Sequence, residues 1–304
     1  MGGKLSIAVL ICTYKRKKEL LKCLRSIKEQ VRLPEHVVII EKKTGKQSVP
    51  LKDLKLLFST SVKITYKTII KGNIAFSRNF AVKNSNEDIV LFVDDDVILE
   101  KGYIQKLLNF YCKNENVDSV VGKILPLKRG YWQNFIHKLL TSTIKNENLS
   151  QKVDHWPTLN FSFRRKCFQK VKYDESFSAL EDIDFCLNLR SMGYNIWYIP
   201  QMLVFHSYRN SFIKFCRTFY FYYKNNMINL AMKHPNYDLL PLYLFSVKAK
   251  NNFVFFLKTI KRILLISRRL RKDFNLSLCY YFACFIYYIV FYISVDKQYI
   301  KQLN

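Results

Sequence analysis

Three adjacent carboxylates, Asp94, Asp95 and Asp96, directly follow the apolar run 89–93. In a strand, alternate residues share a face, which predicts Asp94 and Asp96 on one side, roughly 7 Å apart at Cα. Two such carboxylates repel each other unless a cation lies between them, and oxygen ligands suit Mg²⁺ or Mn²⁺. Such an ion usually keeps waters and substrate phosphates as further ligands, so the cluster predicts a phosphorylated substrate. We expect Asp95 to point the other way and to tolerate substitution best.

A helix cap or an Asp-rich turn is the structural alternative for this cluster. A cap should directly precede its helix, whereas residues 97–102 intervene before the next predicted helix. His206 ends a predicted strand far along the chain. It becomes a candidate ligand only if the fold brings it near Asp96.

A second acidic group lies in the segment 178–185, which reads SALEDIDF. Ser178 and Glu181 have the S-x-x-E spacing of a capping box, which gives Glu181 a structural explanation. Asp182 and Asp184 would favour the positive end of the helix dipole. Alternatively, one of these carboxylates projects into a cleft as a general base. The residues alone leave both interpretations open.

Apolar runs and helical periodicity predict the elements that position these residues. We expect strands at 5–12, 36–40, 62–67, 88–93, 117–127, 195–200 and 202–207, and helices at 17–30, 73–85, 103–112 and 180–192, the last closed by Gly193. Alternating strands and helices predict an α/β fold with a mostly parallel sheet flanked by helices. Ligands bind beyond the carboxyl ends of such strands, where the aspartates lie. The weakly patterned segment 128–155 is predicted to cover the substrate.

Charge and the C-terminal pattern suggest a negatively charged partner. The net charge of +27 fits nucleic acid, an acidic membrane or phosphorylated substrates, although biased codon usage also produces lysine-rich chains. Residues 248–272 hold nine Lys or Arg and no acid, in the pattern of a basic amphipathic helix. Residues 274–295 carry no charge, so they could span a bilayer, form an interfacial hairpin or pack as core helices. We therefore predict a catalytic domain at 1–209 and a helical, membrane-associating region at 210–304.

The cysteines and the first residues of the chain bear on its compartment. The eight cysteines include no CxxC pair and nothing with zinc-site spacing, which is typical of a reducing compartment. The first apolar run is short and is followed, not preceded, by basic residues, so we expect no signal peptide.

Several motifs in order resemble the family 2 glycosyltransferases over roughly residues 5–225. They are IAVLICTYKR, GNIAFSRNFAVKNSNEDIVLFVDDDVILE, NFSFRRKCFQKV, YDESFSALEDIDFCLNLRSMGYNIWYIP and MLVFH. Each motif is weak alone, but the ordered set is specific. The resemblance implies a GT-A fold, a nucleotide-diphosphate sugar donor and a divalent metal, Mg²⁺ or Mn²⁺. It also implies inverting displacement at the anomeric carbon.

The resemblance also implies roles for individual residues. The nucleotide-sugar side would include Thr13, Glu41, Arg78, Asp94 and Asp95; the metal would be bound by Asp94, Asp96 and His206; and Asp182 would be the catalytic base. In this family the second strand usually ends in Asp before a Gly-Ser turn, whereas this chain has the longer Glu41. The identity of the nucleotide base that the site would accept is therefore left open. The Gln-x-x-Arg-Trp signature of processive members is absent, which favours transfer of one or a few sugars.

The expected product is a cell-envelope glycan or a lipid-linked saccharide. The enzyme would lie at the cytoplasmic side of the membrane, on anionic lipids, with no nucleic-acid partner. A sugar nucleotidyltransferase is the main alternative. Such an enzyme is expected to have a Gly-rich loop after the first strand, whereas this chain has TYKRKKEL there, without a glycine, which argues against it. A basic nucleic-acid-binding protein would explain the charge but not the acidic cluster, and a membrane-bound structural protein would explain only the tail.

Overall fold

The computed structural model describes residues 5–43, 47–58, 61–128 and 146–208, together with the shorter stretches and single positions 130, 133–134, 136–137, 141, 144, 211, 226 and 228–234. The chain divides into one unit of residues 1–129 and 143–208 and another of residues 130–142 and 209–304. The predictions for 248–272 and 274–295 lie outside the described residues, and the predicted division at residue 209 stays a prediction. Within the described part, every helix is too short or too polar to cross a bilayer.

Strands and helices alternate along the first unit. The strands are β1 (Ile7–Thr13), β2 (His36–Lys42), β3 (Lys63–Ile69), β4 (Ile89–Asp94), β5 (Val97–Leu99), β6 (Ser119–Pro126), β7 (Gln151–Lys152), β8 (Asn160–Arg164) and β9 (Ile196–His206). The helices are α1 (Lys17–Lys28), α2 (Leu51–Phe58), α3 (Ile74–Lys83), α4 (Tyr103–Lys113), α5 (Arg165–Lys170) and α6 (Glu181–Ser191). The second unit contains the short helix α7 (Ile228–Lys233).

The predicted α/β fold with flanking helices is confirmed, but its sheet is mixed. The strand order is β3-β2-β1-β4-β8-β6-β9-β5, and β7 pairs with β9. The strands β3, β2, β1 and β4 are parallel, as predicted. β8 runs antiparallel between β4 and β6, and β5 and β7 run antiparallel to β9. The antiparallel strands are short, and their sequences lack the long apolar runs that revealed the others.

The core runs along the whole sheet and includes its parallel half as well as Phe161 and Phe163 of β8. The apolar residues of β1 from Ile7 to Ile11 are fully buried, as expected of strands covered by helices on both faces. Helix α1 follows β1 and buries Leu20, Leu24 and Ile27 on one face at helical spacing. This buried packing fixes the carboxyl end of β1.

The strands predicted at 195–200 and 202–207 are a single strand, β9. Its pairing with β6 is interrupted between Ile199 and Val204, where Pro200 has no N–H to donate. Opposite this irregularity, an added Cβ on Gly122 would lie 1.9 Å from the carbonyl oxygen of Met202. Only glycine therefore allows β6 to approach β9 there, and the strand continues unbroken to His206.

Candidate active site

The carboxyl ends of three parallel strands bring predicted site residues to one edge of the sheet. Thr13 ends β1 and pairs in register with Glu41 of β2. Asp94 ends β4 and pairs with Cys12, the residue before Thr13. In α/β sheets, ligands usually bind just beyond the carboxyl ends of the parallel strands.

The three aspartates do not continue the strand, so alternation gave the wrong geometry for them. β4 ends at Asp94, and Asp95 and Asp96 form a turn into β5. The Asp95 side chain is 5% exposed, and it accepts hydrogen bonds from Thr13 Oγ1 at 2.6 Å and Arg16 Nη1 at 3.1 Å. The expectation that Asp95 points away from Asp94 and Asp96 and tolerates substitution best stays a prediction, and the burial of Asp95 and its two hydrogen bonds argue against its tolerance.

The fold brings His206 next to Asp96, which is the condition under which we expected His206 to be a candidate metal ligand. Its Nε2 is 3.2 Å from Asp96 Oδ1, and Arg16 Nη1 is 2.8 Å from Asp96 Oδ2. Burial disfavours the charged form of Asp96, but the hydrogen bond from His206 and the Arg16 guanidinium hold its pKa below the ordinary value. Partial desolvation raises the pKa of Asp94 to about 6, and the Asp96 carboxylate adds to the rise while Arg78 opposes it.

The chemistry of these side chains fits a divalent ion that keeps part of its coordination shell for other ligands. Asp94 and Asp96 offer carboxylate oxygens, and His206 offers an imidazole nitrogen, a set that suits Mn²⁺ or Mg²⁺. Among the described residues, no group of three His, Cys, Asp or Glu side chains is placed to hold a metal ion, so Asp94, Asp96 and His206 would have to draw closer around a bound ion. A bound ion would therefore take its remaining ligands from water and substrate oxygens.

Arg78 connects the aspartate cluster to the second acidic group. Its guanidinium is buried, forms an ion pair with Glu181, and lies 3.9 Å from Asp94 Oδ1 through Nη2. The guanidinium carbon also lies 5.5 Å from the centre of the Tyr173 ring. Asn73 caps the helix that carries Arg78 by accepting from the Phe76 N–H at 3.0 Å. The helix α3 therefore holds one cation between the two predicted halves of the site.

The start of α6 differs from the predicted capping box. Leu180, with a left-handed φ of 63°, is the N-cap residue, and Glu181 is the first helical residue. Ser178 therefore lies too far upstream to cap the helix, and Glu181 pairs with Arg78 instead. Gly193, with a φ of +82°, follows the C-cap Met192, as predicted.

The three acids at this helix start have different surroundings. Asp184 is fully buried and accepts from Asn188 Nδ2 at 2.9 Å, and Glu181 is held by Arg78. Burial raises the pKa of Glu181 above its ordinary value, although Arg78 opposes the rise. Asp182 is half-buried and accepts from the Ile183 N–H at 2.9 Å, so its carboxylate is the most accessible of the three.

The Glu41 side chain is buried and is hydrogen-bonded to Ser48 and Tyr66. Its carboxylate accepts from the Ser48 N–H at 2.8 Å, from the Ser48 hydroxyl, and from the Tyr66 hydroxyl at 2.7 Å. Burial disfavours its charge, but these hydrogen bonds hold its pKa below the ordinary value. A nucleotide base would have to share this carboxylate with Ser48 and Tyr66.

Sequence reasoning missed several residues that the fold brings to the site. Arg16 was read only as part of a motif, and the partners of Glu41 were not anticipated. His155 was also missed; burial lowers the pKa of its imidazole, and the nearby Asp182 carboxylate opposes that shift. Most of these contacts join residues that are far apart in the chain, so no local pattern marks them, although Ser48 lies only seven residues from Glu41.

Comparison with known proteins supports the sequence resemblance. The model of the family described as glycosyl transferase family 2 matches residues 8–172. The O-antigen chain rhamnosyltransferase RfbN of Salmonella typhimurium is 26% identical over 215 residues, which are 67% of each chain. The pre-mycofactocin glycosyltransferase of Mycobacterium tuberculosis is 27% identical over 172 residues, and the match spans 36% of that relative.

Solved structures share the fold at low sequence identity. S. aureus TarS 1-349 in complex with UDP-GlcNAc superposes with a TM-score of 0.54 and 18% identity, over 79% of this chain and 70% of TarS. GalNAc-T7 with UDP, GalNAc and Mn²⁺ superposes with a TM-score of 0.56 and 13% identity, over 75% of this chain and 48% of GalNAc-T7. These likenesses establish a GT-A type fold. With the family match over more than half of its residues, the chain belongs to glycosyl transferase family 2.

Proposed function

We propose that this glycosyltransferase moves a sugar from a nucleotide-diphosphate donor to a hydroxyl acceptor, with inversion at the anomeric carbon. The observation that carries the proposal is the Arg78 guanidinium, which lies between Asp94 of the aspartate cluster and Glu181, the neighbour of Asp182. A donor side and an acceptor side are thereby held within one site. Family membership favours sugar transfer over the nucleotidyltransferase and nucleic-acid-binding alternatives.

On the donor side, the carboxyl ends of β1, β2 and β4 would bind the nucleotide. Thr13, Glu41, Arg78, Asp94 and Asp95 belong to this side, and Asp94, Asp96 and His206 would hold Mg²⁺ or Mn²⁺. When bound, the ion would supply Lewis-acid stabilisation of the departing nucleoside diphosphate. Asp95 fixes the Thr13 hydroxyl, and His206 orients the Asp96 carboxylate, so both hydrogen bonds order this side before the donor arrives. UDP and UDP-GlcNAc bound to TarS support a nucleotide-sugar donor of this kind.

On the acceptor side, Asp182 would act as the general base. Its carboxylate would take the proton from the acceptor hydroxyl as the new bond forms between that oxygen and the anomeric carbon. The bond from the anomeric carbon to the diphosphate oxygen breaks at the same time, and the electron pair leaves with the diphosphate. Glu181 and Asp184 are held by other partners, which leaves Asp182 as the base.

Replacing Asp96 by Asn tests the donor side. Asparagine keeps the shape of the side chain but removes the charge that would bind the ion, so we expect kcat/KM to fall at least about 100-fold. Nucleotide release from a panel of UDP-, GDP- and dTDP-sugars, with Mn²⁺ and with EDTA, measures the effect and also identifies the donor. The exposed Asp53→Asn on α2 is the matched control. Full Mn²⁺-supported activity of Asp96→Asn would exclude the metal assignment.

We further propose a cell-envelope glycan or a lipid-linked saccharide as the acceptor. The printed name of the Salmonella relative, an O-antigen chain rhamnosyltransferase, supports this acceptor class. The basic segment 248–272 would hold the enzyme against anionic lipids on the cytoplasmic side of the membrane. The acceptor would then diffuse in the same surface to which the enzyme is bound.

Neutralising that basic segment tests the membrane proposal. Each Lys or Arg near an anionic surface contributes about 1 kcal/mol, so the loss of five charges should lower binding at least about tenfold. The full-length variant would carry Gln at Lys258, Lys261, Arg262, Arg268 and Arg269. Sedimentation with phosphatidylglycerol vesicles measures binding, and phosphatidylcholine vesicles serve as the uncharged control. Equal sedimentation of variant and wild type would refute this role.

A further inference from the structure

Arg16 makes direct contact with two of the three aspartates. Its Nη1 lies 3.1 Å from Asp95 Oδ1 and 2.8 Å from Asp96 Oδ2. Arg16 immediately precedes α1, and the left-handed backbone of Lys15, with a φ of 55°, turns the chain between β1 and that helix. The guanidinium therefore lies between carboxylates that would otherwise repel each other.

The contacts of Asp96 leave little room for another cation. Its Oδ2 faces Arg16, and its Oδ1 faces His206. A metal ion that takes Asp96 as a ligand must therefore compete with one of these two groups. His206, as a proposed ligand, would exchange its hydrogen bond to Asp96 Oδ1 for the ion, whereas the Arg16 guanidinium can only repel the ion, so Arg16 is the group that has to leave.

The position of Arg16 allows it to leave, whereas that of Arg78 does not. The Arg16 side chain is 48% exposed, but the Arg78 side chain is 7% exposed and is paired with Glu181. Arginine also presents a planar fork of donors that matches phosphate oxygens. A rotation about its own side-chain bonds would turn this fork from the carboxylates toward a neighbouring anion.

On the basis of the sugar transfer proposed above, we infer that Arg16 is an exchangeable counter-cation of the aspartate cluster. In the donor-free enzyme it neutralises Asp95 and Asp96. When a divalent ion takes the carboxylates, the guanidinium transfers to the diphosphate of the donor. Arg16 thus opposes binding of the metal alone and favours binding of the diphosphate.

Two binding measurements on Arg16→Gln test this role, because they are expected to move in opposite directions. We expect Mn²⁺ to bind the variant about tenfold more tightly in the absence of nucleotide, since one charge-assisted contact no longer competes. We expect inorganic pyrophosphate in the presence of saturating Mn²⁺ to bind about tenfold more weakly, since the guanidinium that would transfer to the diphosphate is lost. Electron paramagnetic resonance of free Mn²⁺ gives the first affinity, and calorimetry gives the second.

The exposed Lys18→Gln on α1 removes the same charge without touching the aspartates and should change either affinity by less than about twofold. A thermal melt checks that both variants are folded. Unchanged or weaker Mn²⁺ binding by Arg16→Gln would overturn the exchange, as would unchanged pyrophosphate binding, and so would a wild type that binds no Mn²⁺. Opposite shifts in a protein that turns over no sugar nucleotide would instead support the exchange and refute the proposed reaction.

Discussion

Asp182→Asn is expected to lower kcat by about 10²–10⁴-fold, because asparagine cannot accept the proton of the acceptor hydroxyl. The neighbouring acids cannot replace it. Glu181 is held by Arg78, and Asp184 is fully buried against Asn188. The loss should fall on the chemical step, with donor binding unchanged, since the proposed reaction assigns the carboxylate to the acceptor side.

Single-turnover kinetics with donor and acceptor separates these steps, and titration with the nucleoside diphosphate measures donor binding directly. Asp154→Asn is the matched control, because this acid is 58% exposed and pairs with Arg190 at the surface. A variant of Asp182 that keeps more than about a tenth of wild-type kcat would place the base elsewhere.

The second large effect is expected from the buried ion pair between Arg78 and Glu181. Removing one partner leaves an unpaired buried charge, so Arg78→Met or Glu181→Leu alone should lower the free energy of unfolding by about 3–5 kcal/mol. The double variant removes both charges and should recover most of that loss, since apolar groups of similar volume often replace a buried pair without harm. Urea unfolding of the four proteins gives the coupling energy.

Activity should follow a different order from stability in these four proteins. The double variant should remain inactive, because no cation then lies between Asp94 and the start of α6. Arg78→Lys keeps the charge but not the fork, and we expect it to recover part of the activity. If the double variant regained both stability and turnover, the pair would serve packing alone.

The parts of the site that lie on single strands could be predicted from the sequence. Apolar runs fixed where β1, β2 and β4 lie, and parallel pairing brings their carboxyl ends together. His206 was found because it ends such a run. The order of the motifs added what no single pattern contains, namely the family to which the chain belongs.

The contacts between side chains could not be predicted in the same way. Arg78 and Glu181 are 103 residues apart, and Arg16 and Asp96 are 80 residues apart. The S-x-x-E spacing favoured a local cap for Glu181, but a buried guanidinium nearby offers a stronger partner for that carboxylate than a backbone N–H. Strand periodicity favoured a strand continuing through Asp96, because it does not state where pairing stops, and the Asp-rich turn considered as the structural alternative is what Asp95 and Asp96 form.

The pairing of β5 with β9 has a consequence for how the site responds to motion. Val97 pairs with His206, and the Ser207 N–H donates to the Asp96 carbonyl oxygen at 3.2 Å. The distance between the backbones of Asp96 and His206 is therefore set by main-chain hydrogen bonds rather than by flexible side chains. Binding an ion between them would freeze few additional torsions, so little rotational entropy would be lost. Local opening of the short pairing between β5 and β9 would move the Asp96 and His206 side chains apart. The retention of the ion would then follow the local hydrogen-exchange protection of this pairing rather than the free energy of global unfolding.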